Sequence, residues 1–213
     1  TMKHRIQLPL PRSSELKSAL RSSDAVVVVG SGPLLPALFH SLRQRRVEPA
    51  CLCPFDNKPP ASTDGVPVRT TADARLTYPD AVVLLLVPPC DSEAARSRLL
   101  EQGWRSVYDC APILAAFDYD CQTFPSGVGW LHFYLDTYFY DYFTVHFPEY
   151  LVLPSIDVVI TERCSLRCRD CANLMQYYTR PVNADFDRLF SALDSLMSSV
   201  DNVLEFRLLG GEP

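Results

Sequence analysis

Two apolar periods alternate along the first half of the chain. Unbroken apolar runs, "VVVV" (Val26–Val29) and "VVLLLV" (Val82–Val87), predict strands covered on both faces. Between such runs, apolar residues recur three and four apart, as Leu34, Leu38 and Leu42 do in "PLLPALFHSLRQRR". Pro33 and Pro36 confine that helix start to its first turn, where a missing N–H costs little. Arg43, Arg45 and Arg46 collect at its end, where the helix dipole is negative. "EPACLC" predicts a second strand, "VPV" a short one and "SVYDC" a last one. "DSEAARSRLLEQG" predicts a helix N-capped by Asp91 or Ser92 and stopped by Gly103. Strands spaced by such helices predict an α/β, Rossmann-like domain with a parallel sheet over residues 22–115, behind an N-terminal extension, 1–21.

The alternation breaks over residues 116–153, which are dense in aromatics. Leu131, Leu135, Tyr138, Tyr142 and Phe143 keep helical spacing and predict an amphipathic helix in a linker bridging two domains. Asp136 and Asp141 argue against a membrane-surface helix, whose polar face is usually basic. From Pro154 a second α/β region is expected: the strand "SIDVVIT", a cysteine loop, a helix and the strand "NVLEFRLL". The helix places Phe186, Leu189, Phe190, Leu193, Leu196 and Met197 on one face.

Composition narrows the class. Of 213 residues 47% are apolar and 21% charged, as in globular proteins. A net charge of -5 gives no electrostatic reason to expect nucleic acid. The longest purely apolar run, Ala81–Val87, is far short of the ~20 residues of a membrane span. The N-terminal segment lacks a signal peptide's apolar core, so a cytoplasmic location without a membrane partner is expected. The eight cysteines then read as thiols. Cys51, Cys53, Cys90, Cys110 and Cys121 are taken as small buried residues. Cys51 and Cys53 are assigned to opposite faces of a strand, which would keep them from sharing a metal.

Two places carry candidate chemistry. Gly30 and Gly32 lie between a strand and a helix, where glycines permit a tight turn and close approach of a phosphate. Asp56, after the second strand, is the candidate for ribose hydroxyls. Leu35 stands where a third glycine would complete the fingerprint, and Pro33 removes one N–H. The turn therefore reads as a site for NAD or another nucleotide, or as a structural turn in a nonbinding module. "FDNKPPASTDGVPV" resembles a segment of Rossmann-like domains found in glycan-pathway proteins. The second place is Cys164, Cys168 and Cys171, spaced C-x3-C-x2-C. Three thiolates on one loop can hold three corners of a cubic iron–sulfur cluster and leave one iron open. Zinc is the alternative, with a distant fourth ligand such as His146 or Asp170.

"ITERCSLRCRDCANLMQYY" together with "RLLGGEP" resembles the radical S-adenosylmethionine (SAM) superfamily. The resemblance implies a partial barrel beginning with this strand–helix–strand portion, and a [4Fe-4S] cluster on Cys164, Cys168 and Cys171. It implies SAM chelating the open iron and cleaved there to a 5'-deoxyadenosyl radical that takes hydrogen from substrate. Gly210, Gly211 and Glu212 would border SAM's methionine end, with Glu212 accepting from its ammonium and Pro213 stiffening the turn. Asp170 stands where many members carry an aromatic residue near the adenine. Asn173–Tyr178 resembles a subgroup linked to glycan or secondary metabolism, which suggests a nucleotide- or glycan-linked small-molecule substrate. The chain is expected to be an enzyme's N-terminal portion, truncated after GGEP and inactive alone, self-associating through an open sheet edge at the last strand.

Overall fold

The structure is a computed structural model that describes residues 10–55, 63–117, 128–166 and 168–211, with the backbone alone at 128, 129 and 132. It forms two compact units, Thr1–Phe147 and Pro148–Pro213. No helix among the described residues is long and apolar enough to cross a membrane.

The first unit is Rossmann-like. Helix α1 (Ser13–Ser22) precedes β1 (Val26–Gly30), α2 (Leu35–Gln44), β2 (Cys51–Cys53) and α3 (Thr71–Thr77). Then come β3 (Val82–Leu86), α4 (Ser92–Glu101), β4 (Ser106–Asp109), α5 (Ala111–Leu114) and α6 (Val128–His146). All strand pairs are parallel, in the order β2-β1-β3-β4. The β1 and β3 runs are buried throughout because both sheet faces are covered. Val27, Val29, Val83 and Leu85 share one core cluster with Ala74 of α3 and with Ala95 and Leu99 of α4. Right-handed crossovers put α2 on the opposite face. There Val28, Leu52 and Leu84 are equally buried. Each fully buried Leu or Phe contributes roughly 1.5–3 kcal/mol, so this unit holds a substantial core.

Several sequence expectations need correction here. Cys51 and Cys53 do not face apart: strand side chains repeat every two residues, so both lie on one face, in the same cluster. Hydrogen bonding to Cys51, and then burial, raise the Cys53 thiol's pKa. Cys90 is exposed rather than buried, and Cys121 lies outside the described residues. Asp91 occupies the N-cap position of α4 but makes no side-chain cap. The neighbouring Ser92 hydroxyl instead donates to the Asp109 carboxylate. "VPV" forms only a bridge, Leu52 to Val68. Helix α3 was not foreseen, although Thr70 and Asp73 carry its signal: Thr70 Oγ1 accepts from the Asp73 N–H at 3.0 Å.

The aromatic helix also differs from expectation, since it belongs to the first unit instead of a linker. Leu131, Leu135, Tyr138, Tyr142 and Phe143 form its buried stripe, joined by Phe139. It packs on the Pro89–Asp91 turn after β3, and Tyr138 Oη lies 3.7 Å from Cys110 Sγ, just past β4. Helix α6 thus runs along the carboxyl edge of the sheet.

The second unit contains β5 (Val152–Val159), α7 (Phe186–Met197) and β6 (Asn202–Leu209). The strands pair in parallel, from Val152 with Asn202 to Val159 with Leu209. One face carries Ser155, Asp157, Glu205 and Arg207. Arg207 donates to Asp157 Oδ1 at 2.5 Å and to Ser155 Oγ at 3.3 Å. The other face carries Ile156, Val158, Phe206 and Leu208. Asp185 caps α7 by accepting from the Arg188 N–H at 3.2 Å. None of the residues of α7 is buried.

Candidate functional site

Parallel pairing brings the carboxyl ends of β5 and β6 to one edge, where active sites of parallel sheets collect. The cysteine loop leaves β5 there and the glycine turn leaves β6. The Ile160 N–H donates to the Leu209 carbonyl at 2.8 Å and extends the pairing into both loops. Two further links clip the start of the cysteine loop to the segment before α7. Glu162 and Val182 exchange bonds, N–H to the Val182 carbonyl at 2.9 Å and Val182 N–H to Glu162 Oε2 at 3.0 Å. Thr161 Oγ1 donates to Asn183 Oδ1 at 2.8 Å. Sequence reasoning missed this clip, because it joins residues 20 and 22 positions apart through loop geometry without a periodic signal.

The two distant motifs meet at this edge. A Cβ on Gly211 would lie 2.1 Å from the Arg163 carbonyl oxygen and 2.5 Å from Cys164 Cβ. One on Gly210 would lie 2.9 Å from Thr161 Cγ2. Only glycine lets the turn approach the root of the cysteine loop this closely. Glu212 and Pro213 lie outside the described residues.

The thiols share this loop but are not gathered into a metal-ready cage. Cys168 is exposed, Cys164 and Cys171 half-buried. The Cys164 thiol donates to the Leu166 carbonyl at 3.1 Å, and the Cys171 carbonyl accepts from the Leu174 N–H at 3.1 Å. Among the described residues no group of three or more His, Cys, Asp or Glu side chains is arranged to hold a metal. Asp170 is an exposed loop residue. His146 belongs to the first unit, its ring 4.4 Å from that of Tyr142.

In the first unit, Gly30 and Gly32 are explained by the backbone. Gly30 has φ 151°, and a Cβ there would sit 2.0 Å from the Leu86 carbonyl oxygen of the neighbouring strand. Gly32 has φ 117° and faces open space. The strand order reverses between β1 and β3, which is where such sheets take ligands. Here the crevice is a cavity of about 220 Å³ lined by Ser31, Pro33, Leu86, Pro88, Tyr134 and Tyr138. That is below the roughly 300 Å³ at which ordinary ligand pockets begin, because α6 lies over the carboxyl edge. Asp56 lies outside the described residues. No protein-family model, curated protein or solved structure matches the chain.

Proposed function

We propose that the second unit is the cofactor-binding portion of a radical SAM enzyme, with a [4Fe-4S] cluster on Cys164, Cys168 and Cys171 and SAM beside Gly210, Gly211 and Glu212. The observation that carries this reading is the contact of Gly211 with Cys164, two motifs far apart in sequence and together at one sheet edge. The donor set fits as well. Thiolates are the soft ligands that iron–sulfur clusters take, and three of them leave one metal position for a chelating ligand. Bound there, the cluster and SAM supply one-electron chemistry that ends in hydrogen abstraction from a substrate. The chain's own residues hold and orient. The Thr161–Asn183 and Glu162–Val182 links fix where the cysteine loop starts. Gly210 and Gly211 leave backbone N–H and C=O groups unshielded by side chains. Glu212 supplies an anionic acceptor for an ammonium. The reading does not extend to a dinucleotide in the first unit, whose crevice is small and apolar.

Binding tests this reading. The full chain is loaded anaerobically with iron and sulfide, then dialysed against SAM and, separately, NAD. The loaded chain retains SAM but not NAD, and a Cys164→Ala/Cys168→Ala/Cys171→Ala variant treated identically retains neither. Equal retention of SAM by that variant, or uptake of zinc with no uptake of iron, contradicts the reading.

A further inference from the structure

A second cavity, of about 600 Å³, lies in the first unit between α1, the end of α2 and α5. It is well within the size range of small-molecule pockets. Its floor is apolar, with Leu16, Leu20, Val47 and Ile113. Its polar lining includes four cations: Lys17 and Arg21 from α1, and Arg45 and Arg46 from the end of α2. No Asp or Glu lines it among the described residues. None of the four cations has an acidic partner among those residues. Arg43, nearby on the same helix, shows the contrast, since it takes both Glu48 and Asp64. Arg45 Nη1 donates to the Ser41 carbonyl at 2.6 Å and meets no carboxylate among the described residues. Four clustered positive charges in a chain of net charge -5 call for an anionic ligand.

The backbone at Arg46 gives an independent reason. Helix α2 closes with the Arg46 N–H on the Arg43 carbonyl at 2.8 Å and the Val47 N–H on the Leu42 carbonyl at 3.0 Å. This is the Schellman arrangement, in which the residue at the position of Arg46 is usually glycine. Helix α4 closes the same way with Gly103 there, at φ 90°. Helix α2 instead holds an arginine at φ 60°, in the left-handed region that disfavours side chains. Side chains are held in this region at a cost, and such positions are enriched at ligand sites. Arg12, Asp64 and Leu174 share the conformation, but of the four only Arg46 lines this cavity.

We infer that this cavity binds a phosphorylated amphiphile, its phosphate on Lys17, Arg21, Arg45 and Arg46 and its apolar body on Leu16, Leu20, Val47 and Ile113. The inference rests on the first unit alone and stands or falls separately from the radical SAM reading.

Calorimetric titration of the full chain with monomeric decyl phosphate tests it, with decyl glucoside, inorganic pyrophosphate and phosphatidylserine-containing vesicles as comparators. Decyl phosphate binds with one site per chain and weakens with added salt. Pyrophosphate binds more weakly, decyl glucoside does not bind, and the vesicles do not sediment the protein. Arg46→Gly is the decisive variant, because glycine suits that backbone: melting is unchanged or raised while affinity for decyl phosphate falls about fivefold or more. Arg45→Gln weakens binding in the same direction. Equal binding of the neutral detergent, unchanged affinity in both variants, or sedimentation with vesicles without binding of monomeric decyl phosphate overturns the inference.

Discussion

The two units are built from the same parts, parallel strands joined by helices, yet they differ in what covers them. In the first, β1 and β3 are buried along their whole lengths. In the second, Val158 and Met175 are the only buried apolar residues among those described. Phe186 and Phe190 of α7 remain more than half exposed, and Leu208 of β6 is 64% exposed. The difference shows where the stability of the chain lies. The first unit is held by its core, and its glycines serve the backbone. The second has little core, and its glycines serve the meeting of two loops. Its apolar side chains, Phe186, Phe190, Phe206 and Leu208 among them, are left exposed.

Glycine substitutions separate the units most sharply. Gly30→Ala sets a Cβ against the Leu86 carbonyl and is expected to cost on the order of 4 kcal/mol in thermal unfolding of the first unit. Gly211→Ala, with an equally close clash, leaves that transition in place and impairs iron uptake instead. If both substitutions lower the same transition, the division is wrong. Truncation in the helices comes next. Leu38→Ala, at a fully buried site of α2, costs about 3 kcal/mol in denaturant titration. Phe190→Ala, 58% exposed on α7, changes stability by less than about 0.5 kcal/mol.

Hydrogen exchange measures the contrast without mutation: amides of β1 and β3 exchange at least about a hundredfold more slowly than those of β5 and β6. Equal protection would mean that the second unit is covered in solution. A further effect is one of pH. Burial raises the pKa values of Cys110 and Tyr138 above their ordinary 9.0 and 10.0. Above those values the unfolded chain loses protons that the folded chain keeps, so stability falls as pH rises. Each group contributes up to about 1.4 kcal/mol per pH unit. Melting of the first unit followed from about pH 8 upward shows this decline, and it is shallower in Cys110→Ala.

Much of the first unit was legible in the sequence because its signals are local. Uninterrupted apolar runs gave β1 and β3, and Gly103 marked a helix end that the structure closes in the expected way. The stripe of α6 was legible too, but its place was not, since periodicity says which face is apolar and not what covers it. The assignment of Cys51 and Cys53 failed through a misapplied strand period. Arg46 was read only as a dipole partner at a helix end, because its left-handed backbone leaves no trace in residue type. In the second unit the cysteines and glycines were evident as motifs. Their contact is a product of parallel pairing between strands some fifty residues apart in register, Asp157 with Arg207 for example, and only the fold brings it out.

The central claim is that three thiols on the loop against Gly211 hold an iron–sulfur cluster. Its most direct test is the absorbance of the chain after anaerobic loading with iron and sulfide. The account predicts a broad band near ~400 nm in the wild type, lost in Cys164→Ala, Cys168→Ala and Cys171→Ala while the first unit melts unchanged. A band that persists in those variants, or none in the wild type, would contradict it.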